Sequence, residues 1–209
     1  MGSPIELTTA FKAAAEKVSA IVSTVPSVKD AIAYTVDLCE KKEACQLLAS
    51  GCEAPLSIDA EALCDQKQKK WIAAPALHGD DSRLLEDLCK DRGIGMTHGS
   101  LRGHLSGIDI GFTIADYGIA ETGTLVIDSS DEALRLATMV SEIHVAALPM
   151  SRIRETAVDL EPELMVLMGS SPNYTAFITG ASRTADIERV LALGVHGPLE
   201  LHILVMEDA

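Results

Sequence analysis

Apolar residues recur at helical spacing near the start of the chain and at strand spacing further along. Leu7, Phe11, Ala14, Val18 and Ile21 or Val22 follow one another every three or four positions through residues 6–22, which predicts an amphipathic helix ending before Pro26. A second helix is expected from Ser27, a hydroxyl suited to capping, to about Ser50, with Gly51 as its stop. IDAEALCDQ (58–66) reads as helix, and KKWIAAPAL (69–77) ends in a short apolar run that suits a buried strand. SRLLEDLCKDR (82–92) follows as a helix between Ser82 and Gly93. The glycine-rich GIGMTHGSLRGHLSG (93–107) reads as a connection. Its His98 and His104 fit neither a zinc-protease spacing nor a phosphate loop.

Alternation begins at Ile108 and continues through Ile110, Phe112 and Ile114, the signature of a strand. It breaks at ADYG (115–118), where the period shifts toward a helical turn, and resumes in TLVID (124–128). A helix from about Asp131, a strand at HVAAL (144–148), a helix after Pro149 and a strand at YTAFITG (174–180) are expected next. SRTADIERVLALG (182–194) reads as a helix, and ELHILVME (200–207) as a final strand. Strands alternating with helices predict the α/β class with a mostly parallel sheet. The 47% apolar and 3% aromatic content of 209 residues agrees, since Ala, Leu, Ile and Val must fill the core. The expected organisation is an N-terminal helical segment, residues 1–65, packed on an α/β domain of residues 66–209.

Charge narrows the partners. A net charge of -14 disfavours duplex nucleic acid and anionic membrane, both of which recruit basic surfaces. The excess lies late in the chain: residues 105–209 hold 5 basic and 16 acidic groups, with no lysine after Lys90. The five cysteines, Cys39, Cys45, Cys52, Cys64 and Cys89, lack C-x-x-C spacing and read as reduced thiols. Without a long apolar run or a leader-like N-terminus, a cytoplasmic location is expected.

Two stretches carry candidate chemistry. In FITGASRTADIERVLALG a strand ends at Gly180, and a helix is expected to begin near Thr184 with Asp186 in its first turn. Free amides at such a start favour an anion, and Arg183 adds a planar cation. The competing account makes Ser182 or Thr184 a simple cap and Arg183 a surface ion pair. In TIADYGIAETGTLVI (113–127), Glu121 and Asp116 could divide base, nucleophile and orienting roles around a tight turn. Alternatively Glu121, Thr122 and Thr124 only bond locally around Gly123. His144 and His196 are candidate acids or bases, or buried imidazoles bonded to carbonyls.

The runs TIADYGIAETGTLVID, then Arg135 to HVAALP, then ITGASRTADIERVLALGVHGP and ELHILV, resemble the lactate utilization protein C family (LutC or YkgG) of the LUD-domain group. The match covers about half the chain, from near Ile110 onward. Ala181 stands where the family has proline, and Ser141 and Glu142 stand where a proline precedes the strand histidine. The resemblance implies a Rossmann-like, mostly parallel sheet of the NagB/RpiA/CoA transferase-like type. It also implies a role in oxidising L-lactate to pyruvate, beside cytoplasmic partner subunits that carry the iron-sulfur clusters. No redox cofactor is expected in this chain, which lacks a G-x-G-x-x-G loop and a cysteine cluster.

By the same resemblance, Glu121, Thr122, Gly123, Thr124, Ser182, Arg183, Thr184, Asp186 and His196 are expected to line one cleft with Gly180, at the carboxyl ends of the strands. The leading expectation is a subunit binding a small anion or a partner-bound substrate. The alternatives are a stand-alone transferase-like or sugar-phosphate isomerase-like enzyme using Glu121, and a non-catalytic scaffold.

Overall fold

The computed structural model describes residues 2–42, 69–99, 101–104, 107–169, 171, 173–184, 192–193 and 197–207. Helix α1 (Pro4–Lys17) starts in a capping box. Ser3 Oγ accepts the Glu6 N–H at 3.3 Å, and Glu6 Oε2 accepts the Ser3 N–H at 2.8 Å. The helix stops sooner than its apolar spacing suggests, because Ser19 adopts φ +67° and turns the chain. Residues Ala20–Val25 then form strand β1. The expectation of helix to residue 22 is thereby corrected: the segment before residue 65 supplies a sheet strand as well as helices.

Ser27 caps α2 (Val28–Lys41) as expected. The part of that helix expected beyond residue 42, and the helix expected at 58–66, lie outside the described residues. The chain resumes in β2 (Trp71–Ala73), α3 (Gly79–Asp91) and β3 (Gly95–Thr97). Helix α3 begins three residues before the expected Ser82, with His78 at its N-cap. Part of the glycine-rich stretch expected to be a connection is thus a strand.

Strand β4 (Ile108–Ile114) leads into β5 (Tyr117–Ile119) and β6 (Thr124–Asp128). The two latter strands pair antiparallel, so the break at ADYG opens a β-hairpin and not a helical turn. Helix α4 (Glu132–Val140) and strand β7 (Ser141–Pro149) follow as expected. After Pro149 comes a short turn and β8 (Ile153–Arg154), and helix α5 (Glu161–Leu167) only later. Strands β9 (Thr175–Thr179), β10 (Arg183–Thr184), β11 (Ala192–Leu193) and β12 (Glu200–Met206) complete the described elements.

The main sheet has the order β1-β12-β7-β4-β2-β3, with every pair parallel. This is the expected α/β class. Its central strands are buried on both faces, which is why β4 and β7 contain few exposed positions. One face packs on α2 and α3 through Ile32, Val36, Leu85, Ile110, Phe112 and Leu204. The other packs on α1 and the hairpin through Phe11, Ala15, Leu125, Ala146, Leu148 and Ile203. A second sheet, ordered β8-β5-β6-β9, forms this outer layer.

Helix α4 lies so close to β4 that a Cβ on Gly111 would stand 2.1 Å from the Ala137 carbonyl oxygen. At the amino ends of the parallel strands, Lys42 Nζ pairs with Asp109 at 2.9 Å and with Glu142 at 2.5 Å, all three buried. Asp109 also accepts the Trp71 N–H at 2.8 Å. This cluster ties the end of α2 to β2, β4 and β7.

Candidate functional site

The opening turn of the hairpin and the end of β9 meet. Thr124 Oγ1 lies 2.7 Å from Thr122 Oγ1 and 2.8 Å from Thr179 Oγ1, a hydroxyl ladder across β6 and β9. Gly123 (φ +65°) and Gly180 (φ +77°) both sit against the end of α1. A Cβ on Gly123 would stand 2.2 Å from the Ala15 nitrogen, and one on Gly180 would stand 2.1 Å from the Val18 oxygen. Each glycine therefore answers two demands, a left-handed backbone and a helix with no room for a side chain. The structure brings Thr122, Gly123, Thr124 and Gly180 together, with Glu121 exposed in the same turn.

Asp116 does not join them. It opens β5, and its carboxylate accepts the Asp128 N–H at 2.7 Å where β6 ends. The hairpin places Asp116 and Glu121 at opposite ends of β5, so they form no acid–base pair. Burial pushes the Asp116 carboxyl above its ordinary range, against the opposing Asp128 hydrogen bond.

Ser182 lies two residues past Gly180, and its N–H donates to the Pro198 oxygen at 3.1 Å. Pro198 leads into β12, and the Leu199 N–H donates to the Glu142 oxygen at 2.8 Å. These contacts put Gly180 and Ser182 beside the amino ends of β7 and β12, correcting the expectation of a cleft at the carboxyl ends of the main sheet. Strand β9 runs in the outer layer, so its own carboxyl end reaches the opposite edge.

The helix expected over 182–194 is corrected at its two ends, while residues 185–191 and 194 lie outside the described residues. Arg183 and Thr184 are extended and pair antiparallel with Leu193 and Ala192, so their backbone is satisfied across a ladder. Asp186 and His196 lie outside the described residues.

A groove of about 430 Å³ joins Gly180 and Ser182 to Gly197, Pro198, residues 175–178 of β9 and one side of α4. Its cation among the described residues is Arg135, which opens one of the runs that carry the family resemblance but is given no site role there. Arg135 Nη1 donates to the Ser129 oxygen at 2.7 Å, and its guanidinium lies 4.9 Å from the Tyr174 ring centre. Arg135 forms no ion pair with any described residue. The signal that could have found it is its rarity, one of five basic residues after position 104.

A larger hollow, about 490 Å³, lies between the start of α1 and the β8–α5 connection. There Arg154 is matched by Glu163, with Nε at 2.8 Å and Nη2 at 2.7 Å from one carboxylate oxygen. That lining also includes Glu155 and Asp159, which makes it poorly suited to an anion.

His144 is buried in the main sheet, with Nε2 2.8 Å from Thr113 Oγ1, and burial lowers its pKa to about 4. It is a neutral core imidazole at neutral pH. Cys39 and Cys89 are buried with thiols pushed up to about 12 and about 11, chiefly by desolvation, so they stay protonated. Cys45, Cys52 and Cys64 lie outside the described residues. Among the described residues, no helix is long and apolar enough to cross a membrane.

A parallel six-stranded sheet, with helices on both faces and on one of them a hairpin layer bearing paired glycines and a threonine ladder, defines a layered α/β protein with its groove between β9 and α4. The chain belongs to the LUD domain family, whose profile matches residues 8–206. Over 103 residues it is 39% identical to lactate utilization protein C of Halalkalibacterium halodurans, covering 48% of this chain and 45% of that one. The protein of the same name from Bacillus subtilis is 33% identical over 103 residues, covering 48% and 43%. An uncharacterized protein of Neisseria meningitidis serogroup B is 41% identical over 100 residues, covering 47% and 42%. These matches span about half the length of the curated relatives. A crystal structure of a DUF162 family protein from Deinococcus radiodurans superposes over 99% of both chains, with TM-score 0.60 and 17% identity. At that identity the likeness concerns the fold.

Proposed function

We propose that this protein serves L-lactate utilization as a cytoplasmic subunit that holds a small anion or a partner-bound substrate, while iron-sulfur partner subunits carry the electrons. The names of its relatives and its LUD domain support the pathway. The observation that carries the site is Arg135: a guanidinium that makes no ion pair with any described residue, lining a groove with Ser182 and Gly180. A cation held on one side by a carbonyl and a ring is preorganised for a carboxylate. In this reading Arg183, next to Ser182 in the chain, is the second candidate cation, and Glu121, at the far end of the β6–β9 ladder from Ser129 and Arg135, takes no direct part.

The test is lactate-dependent dye reduction by the anaerobically co-purified complex, comparing wild type with Arg135→Gln and Arg183→Glu. Loss of one charge-assisted hydrogen bond, ~1.5–3 kcal/mol, corresponds to a drop of roughly tenfold to a hundredfold. That drop is expected with assembly unchanged. Full activity in both variants would overturn the anion-holding role.

A further inference from the structure

The Arg135 groove is unusual for this chain in its charge. The protein has 31 acidic residues, yet among the described residues none lines the groove. Its wall opposite α4 is residues 175–178 of β9, where Phe177 is 50% exposed and the preceding Tyr174 is 57% exposed. Met139, at the end of α4, is 53% exposed on the other side. One cation, two aromatic rings and a thioether thus share a hollow of about 430 Å³.

A free hydroxy acid of three carbons has no apolar body to cover those side chains, and it would leave most of the hollow to water. Sites of this size ordinarily enclose a ligand with several rings or a long chain, oriented by a few polar groups. Arg135 supplies the orienting group. Tyr174 supplies a flat surface already stacked with the guanidinium, along which a planar body can continue.

We infer that the groove takes an amphipathic anion, a carboxylate or phosphate head on an aromatic or acyl body, and that free lactate is not its ligand. This rests on the reading of Arg135 as an anion holder and specifies what the anion is attached to. The head pairs with Arg135, and the body lies along β9 between Phe177 and Met139. Within the pathway reading, the ligand is then an acyl- or ring-bearing molecule that accompanies the oxidation, with lactate itself handled elsewhere.

The test uses the full-length, nitrogen-15-labelled protein titrated with 2-naphthoate, 2-naphthol and L-lactate, followed by amide chemical shifts. Saturable shifts at Thr175–Gly180 are expected for 2-naphthoate, at least about tenfold tighter than for L-lactate or 2-naphthol, since each of those lacks half of the recognition. Arg135→Gln should weaken 2-naphthoate about tenfold or more and leave 2-naphthol unchanged. Phe177→Ser, at an exposed position, should weaken both naphthalenes. Equal or tighter binding of L-lactate, shifts confined to other parts of the protein, or no binding at all would each overturn the inference. If 2-naphthoate binds as described while Arg135→Gln leaves dye reduction intact, the ligand class stands and the lactate role of the groove falls.

Discussion

Gly111 is a sharp test of how the layers are locked together. It lies in β4 with an ordinary strand conformation, so its demand for glycine comes from packing alone. In Gly111→Ala the new Cβ would stand 2.1 Å from the Ala137 oxygen, 2.9 Å from the Ala137 carbon and 2.8 Å from Ser141 Oγ. The first two atoms are helix backbone, and Ala137 is fully buried, so relief requires α4 itself to move off the sheet. Overpacking of this kind costs about 1–3 kcal/mol, and a backbone obstacle places the cost near the upper end, ~3 kcal/mol. Alanine recovers about 0.4–1 kcal/mol by restricting the unfolded chain, leaving a net loss of about 2 kcal/mol. With a urea m-value of about 2 kcal/mol/M, the unfolding midpoint should fall by about 1 M. Gly103→Ala, where a Cβ would meet nothing within 4 Å, is the control and should shift the midpoint little. A Gly111→Ala midpoint within ~0.3 M of wild type at unchanged m would refute the close-approach argument.

Other outcomes follow from buried charge. Lys42→Met should cost about 3–5 kcal/mol, because it strips the cation from Asp109 and Glu142 in the interior; the urea midpoint reads this, and a loss under about 1 kcal/mol would contradict the pairing. His144 binds its proton in the folded state only near pH 4, against an ordinary value of 6.5. The unfolded chain therefore holds more protons between those values, so stability is complete above pH 6.5 and declines as pH falls toward 4. His144→Gln should flatten that decline. Asp116 works in the opposite sense, its raised pKa favouring the fold at low pH and losing that contribution as pH rises through the folded value. A urea-midpoint profile over pH 4–7 that is identical in wild type and His144→Gln would remove His144 from the account.

The sheet was legible where strands showed their own periodicity or stood between clear stops, as at Ile108–Ile114 and Glu200–Met206. Strand β1 was not, because Val18, Ile21 and Val22 continue the helical stripe of α1, and the left-handed residue that ends the helix is Ser19 where a glycine would have announced it. The hairpin was half legible: Gly123 marked a turn, but three-residue β5 was too short to show alternation. Helix α3 hid its start because His78 caps without a side-chain hydrogen bond. In the site, the fold brings Thr122, Gly123, Thr124 and Gly180 together, and of these Gly180 alone lines the groove. The separation of Asp116 from Glu121 depended on strand direction, which residue spacing does not reveal. Arg135 stood out only as a rare cation, and its place in a groove became apparent when the fold set α4 beside β9.

Strand order also governs when the protein can form. β1 (Ala20–Val25) has β12 (Glu200–Met206) as its neighbour, and β12 separates it from β7. β1 must therefore wait for β12, with residues 26–199 looped between them. On the ribosome, β7, β4, β2 and β3 can assemble first, while β1 stays unzipped until residues 200–206 emerge. Closing this sheet thus waits on β12, and a nascent chain stalled before β12 would expose an apolar edge for a chaperone to cover.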